Sequence, residues 1–100
     1  MGDMERHYHV YILASARNGT LYIGVTGNLA ARIWQHRNGT VEGFAKRYHV
    51  NRLVHVEEFS DINEAISREK AMRKWRRAWK LELIERDNPQ WLDLFEVINA

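Results

Sequence analysis

Apolar and polar positions change period several times along this chain. Residues 8–13 (YHVYIL) and 21–25 (LYIGV) are dense in β-branched and aromatic side chains, which predicts two short strands. The intervening ASARNGT, residues 14–20, carries a turn signal at Asn18-Gly19, and so short a connection joins antiparallel partners. Thr26, Gly27 and Asn28 close the second strand and offer an N-cap; residues 29–38 (LAARIWQHRN) then follow a helical period up to Gly39. Residues 39–50 (GTVEGFAKRYHV) hold two glycines and no clean period, so they read as a loop. RLVHVEEF at 52–59 predicts a third strand. Asp61 with Glu64 forms a capping box for a helix running from about 62 into the high 70s, with a break near Arg77–Ala78 and a further helical piece at 79–86. Asn88-Pro89 ends that piece, and Pro89, the only proline, starts a last short turn through WLDLF. The order β-β-α-β-α-α predicts an α+β domain: a small three-stranded antiparallel sheet flanked by helices.

Within this pattern a few residues depart from what packing alone asks. If strand residues whose numbers sum to 33 pair, Tyr11 lies opposite Tyr22 and both phenols share a face. Gly24 sits in a strand interior, where glycine weakens the strand unless another group must come close. On the long helix, Ile62, Ala65, Ile66 and Met72 define an apolar stripe, and Glu69 falls inside it, within about 20° of Ile62 at 100° per residue. A carboxylate there needs a cation, a donor or water. Arg73, one turn on, supplies a salt-bridge explanation; a functional carboxylate is the other. On the first helix Arg32 and His36 are likewise one turn apart, beside the stripe of Leu29 and Ile33.

Composition sets limits. One hundred residues predict one domain, with a core from about 8 to 94. The absence of cysteine excludes disulfides, thiolate zinc sites and a cysteine nucleophile, and a cytoplasmic setting is expected. No apolar run approaches a membrane span, and the N-terminus has too short an apolar stretch for a secretory signal.

Charge changes the picture more. The net charge of +2 excludes a histone-like polycation, but it is unevenly laid out. Between Arg68 and Lys80 there are seven cations against Glu69 alone, a net of +6, which leaves −4 for the rest of the chain. Lys70, Arg73, Lys74, Arg76, Arg77 and Lys80 form a candidate phosphate-binding surface, interleaved with Trp75 and Trp79. A solvated helix face explains the same residues without DNA. Residues 39–50 bring Lys46 and Arg47 near Phe44 and Tyr48, as a DNA-contacting loop or a surface connection.

HVYIL at 9–13, LYIGVT at 21–26, NLAARIWQH at 28–36 and REK at 68–70, in this order and spacing, resemble the GIY-YIG nucleases, above all their small stand-alone bacterial members. KWRRAWKLELI from Lys74 and NPQWLDL to Leu94 extend the likeness over nearly the whole chain. One motif departs: His9-Val10-Tyr11 keeps the tyrosine but not the glycine and isoleucine of the family name. The resemblance implies a site of Tyr11, Tyr22, Arg32, His36 and Glu69, supported by Gly24 and by Asn88, the candidate for a late site asparagine. It implies a divalent-metal-dependent endonuclease acting on DNA, in repair, recombination or processing, with Glu69 holding Mg²⁺ or Mn²⁺. Gly24 would then let a backbone or phosphate approach Tyr22. A partner protein would supply the specificity that so short a chain lacks. The other readings are a non-catalytic nucleic-acid-binding module using the basic helix 68–80, and an interaction domain with Trp75, Trp79 and Trp91 as its partner surface.

Overall fold

The computed structural model describes residues 7–38 and 49–98. The elements are β1 (Tyr8–Ala14), β2 (Leu21–Thr26), α1 (Leu29–Arg37), β3 (Arg52–Phe59), α2 (Ile62–Lys74), α3 (Arg77–Asp87) and α4 (Leu94–Ile98). The sheet is antiparallel, in the order β2-β1-β3, so the most buried strand is also the first. The expected α+β architecture is present. Boundaries shift where local chemistry decides them. The break between α2 and α3 falls at Trp75 and Arg76, both extended, slightly before the expected Arg77–Ala78. Pro89 lies in a turn, and the last helix begins at Leu94, beyond most of WLDLF. Asn28 caps α1 as expected, its Oδ1 accepting from Ala31 N at 3.1 Å. Asp61 caps α2 by accepting from Asn63 N at 3.0 Å, so its bond does not reach the Glu64 position of a capping box. Gly39 and the candidate DNA loop with Lys46 and Arg47 lie outside the described residues.

The register of the first hairpin differs from expectation by two residues. Tyr11 pairs with Gly24, and Tyr22 pairs with Leu13. A two-residue shift preserves the face, because side chains alternate with a period of 2, so the phenols still point the same way. β3 pairs with β1 through a bulge between Ile12 and Leu13, which absorbs one extra β3 residue.

Alternation divides the apolar side chains into two cores. Val10, Ile12, Ala14, Ile23 and Val54 pack against Ala65 and Met72 of α2, Leu83 and Ile84 of α3, and Trp91. Tyr11, Leu13 and Leu53 pack with Leu29 and Ile33 of α1 on the other face, where Leu94 and Phe95 join them. Ile62, placed on the stripe by the helical wheel, is 37 % exposed. Trp91 is fully buried, which removes it from any partner surface. Its indole Nε1 donates to Glu85 Oε2 at 2.8 Å.

An ionic network braces the α2 face. Glu57 accepts two bonds from Arg68 of α2, at 2.8 and 3.0 Å, and lies 2.8 Å from Nε2 of buried His55. Burial pushes the Glu57 carboxyl up, and the hydrogen bonds from His55 and Arg68 more than reverse this, leaving it at about 2. Unfolded, the carboxyl regains its ordinary 4.5, so this contribution is complete above that pH and is lost as the pH falls toward 2. Replacing Glu57 by Gln is therefore expected to lower stability at pH 7 by about 3 kcal/mol and to flatten acid unfolding between those values. Denaturant titrations across that pH range measure both effects.

Candidate active site

β1 and β2 carry the two tyrosines onto the α1 face, and α1 brings Arg32 and His36 over them. Tyr11 is almost sealed, at 1 % exposure, while Tyr22 is half-buried. The rings stand 6.4 Å apart between centroids, and His36 meets both edge-on, at 6.2 Å from Tyr11 and 5.4 Å from Tyr22. His36 Nε2 lies 3.4 Å from the Tyr11 oxygen.

Burial dominates the electrostatics of this cluster. Burial pushes the Tyr11 phenol up, and nearby Arg32 only partly opposes that, so Tyr11 stays protonated near neutral pH. Burial and then the Arg32 charge push His36 down, so it is neutral at pH 7. In the tautomer that carries its proton on Nδ1, His36 accepts at Nε2 from the Tyr11 hydroxyl. Polar contact with Tyr11 holds Arg32 above its ordinary value, and burial opposes this less strongly. Gln35, one helical turn on, accepts from Arg32 Nη1 at 3.4 Å and steadies the guanidinium. Sequence reading missed Gln35; its place three residues after Arg32 was the available signal.

Gly24 serves Tyr11 rather than Tyr22. A Cβ at Gly24 would lie 2.5 Å from the Tyr11 oxygen and 2.6 Å from Cζ, so the phenol crosses the strand where a side chain is missing. This corrects the expectation of a backbone or phosphate approaching Tyr22. Gly24→Ala is expected to push the Tyr11 ring out of place and to cost about 1–3 kcal/mol of stability. Thermal denaturation, with the near-ultraviolet signal of the tyrosines, measures both.

Glu69 is buried, at 5 % exposure, as its place on the wheel required. It faces the sheet that carries Tyr11 and Tyr22 from the side opposite the phenols, because α2 packs on the Val10 and Ile12 face while α1 covers the Tyr11 face. The two sides meet at the free edge of β2. There a groove of about 350 Å³ is lined by Leu21, Tyr22 and Ile23 together with Arg73 and Lys80. Arg73 is the ion-pair partner of Glu69, and the Glu69 charge is felt at Tyr11 as the smallest of the influences raising its pKa. The buried Glu69 Oε2 makes that ion pair without a well-formed hydrogen bond.

The remaining predicted residues separate. Asn88 is consumed by structure: Nδ2 donates to the Val54 and Leu92 carbonyls at 3.1 and 2.9 Å, and Oδ1 accepts from Leu92 N at 2.9 Å. It caps the C-terminal end of α3. Arg77 donates to the carbonyls of Asn18 and Gly19, at 2.8 and 2.7 Å, and so ties α3 to the hairpin turn. Lys80 donates to the Arg73 carbonyl at 3.3 Å at the groove. Lys70, Lys74 and Arg76 are exposed.

A family model described as the GIY-YIG catalytic domain matches residues 7–82. This chain belongs to the GIY-YIG nuclease family. It is 38% identical over 82 residues to UPF0213 protein SH2523 of Staphylococcus haemolyticus, covering 82% of this chain and 98% of that one. It is 40% identical over 76 residues to UPF0213 protein CPE1444 of Clostridium perfringens, covering 76% and 81%. The solution NMR structure of UPF0213 protein BH0048 from Bacillus halodurans superposes with a TM-score of 0.55 at 25% identity, covering 87% of this chain and 92% of that one. The GIY-YIG assignment covers every residue of the tyrosine cluster and Glu69. It carries a nuclease domain, a DNA substrate and a general use of divalent metals in the family. No helix among the described residues is long and apolar enough to cross a membrane.

Proposed function

We propose that this chain is a divalent-metal-dependent endonuclease that hydrolyses DNA phosphodiester bonds at the β2 edge. The observation that carries the reading is the convergence there of Tyr22, backed by Tyr11, Arg32 and His36, with the Glu69–Arg73 pair. The donor set fits Mg²⁺ or Mn²⁺. Among the described residues no three acidic or histidine side chains gather as a metal cage, but a hard cation of this size keeps several waters and needs only one or two carboxylates beside substrate phosphate. Glu69, buried and ion-paired with the exposed Arg73, is that carboxylate. When bound, the metal polarises the scissile phosphate and stabilises the leaving oxygen.

The chain's own groups divide the remaining work. Tyr22 is the phenol that lines the groove; as the phenolate, its own proton having passed to solvent, it orients the attacking water and accepts the water's proton. Tyr11 is sealed and protonated, so it holds His36 rather than touching substrate. Arg32 keeps its charge beside both phenols, and its forked donors suit the charge that grows on the phosphorane.

Arg32→Ala is expected to slow cleavage about 10²–10³-fold, as loss of one preorganised transition-state donor does. The test is a panel of plasmid, branched and single-stranded DNA with Mg²⁺ or Mn²⁺, comparing the parent with this variant. Steeply salt-dependent binding without cleavage on every substrate would instead make the chain a non-catalytic binding module.

A further inference from the structure

The α2–α3 junction carries a second cleft, of about 410 Å³, that the hydrolysis above does not use. Arg68, Trp75, Trp79, Glu82, Leu83 and Arg86 line it. The two tryptophans stand edge to face, 6.2 Å apart at 79°. Trp79 is 49 % exposed, a large aromatic surface left in water. The Arg76 and Arg68 guanidinium groups each lie 5.0 Å from a ring centroid, over Trp79 and Trp75 respectively. Arg68 is fixed by its two bonds to Glu57, so Trp75 is a stiff wall and little order remains to be imposed on binding.

The lining selects the occupant. An apolar peptide would strand Glu82, Arg68 and Arg86 against its hydrocarbon, and a phosphate would meet Glu82. A flat nucleobase fits each part: its π-face suits an indole, its amino edge suits a carboxylate, and its attached phosphate, left outside the cleft and away from Glu82, suits the exposed Arg76 beside Trp79. The location agrees. Trp79 lines this cleft and the next residue, Lys80, lines the groove with Tyr22, so one strand laid across the first turn of α3 reaches both.

We propose that the Trp75–Trp79 cleft is a stacking site for an unpaired nucleobase of the DNA strand being cut. The inference rests on the nuclease reading and adds to it a preference for single-stranded or flipped-out nucleotides, because a paired base shows only its edges.

The experiment is binding without metal, in a chelator, so that cleavage plays no part. Fluorescence anisotropy compares a labelled mixed-sequence single strand with a hairpin duplex of equal charge. Trp79→Ala is expected to weaken single-strand binding about 5- to 150-fold and to leave duplex binding within about twofold. Trp79→Phe, which keeps a π-face, is expected to recover most of the loss. Equal weakening on both DNAs, or none on the single strand, overturns the stacking site while metal-dependent cleavage still stands. If the unaltered chain binds neither DNA, the stacking site fails, and the cleavage panel with Mg²⁺ or Mn²⁺ decides the nuclease reading separately. Circular dichroism of each variant verifies folding, which the exposure of Trp79 predicts to be unaffected.

Discussion

Glu69→Gln is expected to reduce metal-dependent DNA cleavage by at least about 10³-fold while leaving the protein folded. The size follows from the task. Stabilising developing charge through a bound metal is worth several kcal/mol, and each 1.4 kcal/mol is tenfold in rate. Glutamine keeps the volume and the burial, so packing against the α2-side core is unchanged, but it offers a neutral oxygen where a hard anion is required.

The informative control is Arg73→Ala. If Glu69 existed only for its ion pair, removing either partner would have the same consequence. Arg73 is 60 % exposed at its side chain and Glu69 is 6 %, so the pair is lopsided: the cation reaches in from water to a carboxylate that burial has isolated. Arg73→Ala is expected to cost no more than about tenfold in cleavage, the equivalent of one lost phosphate contact. Steady-state cleavage of plasmid DNA across a Mg²⁺ and a Mn²⁺ titration separates the two variants. Equal loss in both would reduce Glu69 to a structural partner and remove the metal from this position.

The second large effect is on stability. Trp91→Ala is expected to cost about 3–5 kcal/mol, the usual penalty for emptying a site shaped around a large aromatic. Trp91 is wholly buried, its indole bonds Glu85, and its backbone is tied at both ends: its N–H donates to the Asn88 carbonyl at 3.0 Å, and its own carbonyl accepts from Arg52 at 3.1 Å. Its φ of +58°, in the left-handed region, is maintained only because these contacts over-determine it. For a chain of this size the loss corresponds to a fall in Tm of at least about 12 °C. A tryptophan serving a partner surface would show no such fall, so calorimetry of this variant tests whether any of the interaction reading survives at this position. Trp75 and Trp79 retain an exposed face there; Trp91 does not.

Local patterns carried a large part of this protein. β3 was delimited at 52–59 because RLVHVEEF is dense in β-formers and Asp61 follows as a cap. The burial of Glu69 was legible because a helix repeats every 3.6 residues wherever it packs. That Tyr11 and Tyr22 share a face was legible from alternation alone, even with the register wrong by two, because an even shift does not change which way a side chain points. The α2–α3 break was read two residues late, because Trp75 and Arg76 are acceptable helix residues and leave the helix for tertiary reasons: Trp75 turns toward the α2-side core and Arg76 stacks on Trp79.

Site geometry was only partly legible. The residue types were recognisable in the chain, and the net charge of +2 resolved into a basic segment beside one inward carboxylate. Hydrophobic period and charge are properties of neighbours in sequence, and they determined the elements, the shared face of the tyrosines and the burial of Glu69. Which side of the sheet a helix covers depends on the crossing of chain segments far apart in sequence, and only the tertiary structure decided it. That crossing set α2 opposite the tyrosines and left Tyr22 and Arg73 to line one groove at the open edge of β2. It also spent Asn88 and Arg77 on backbone carbonyls, because a buried polar group takes whichever partner the fold brings within reach.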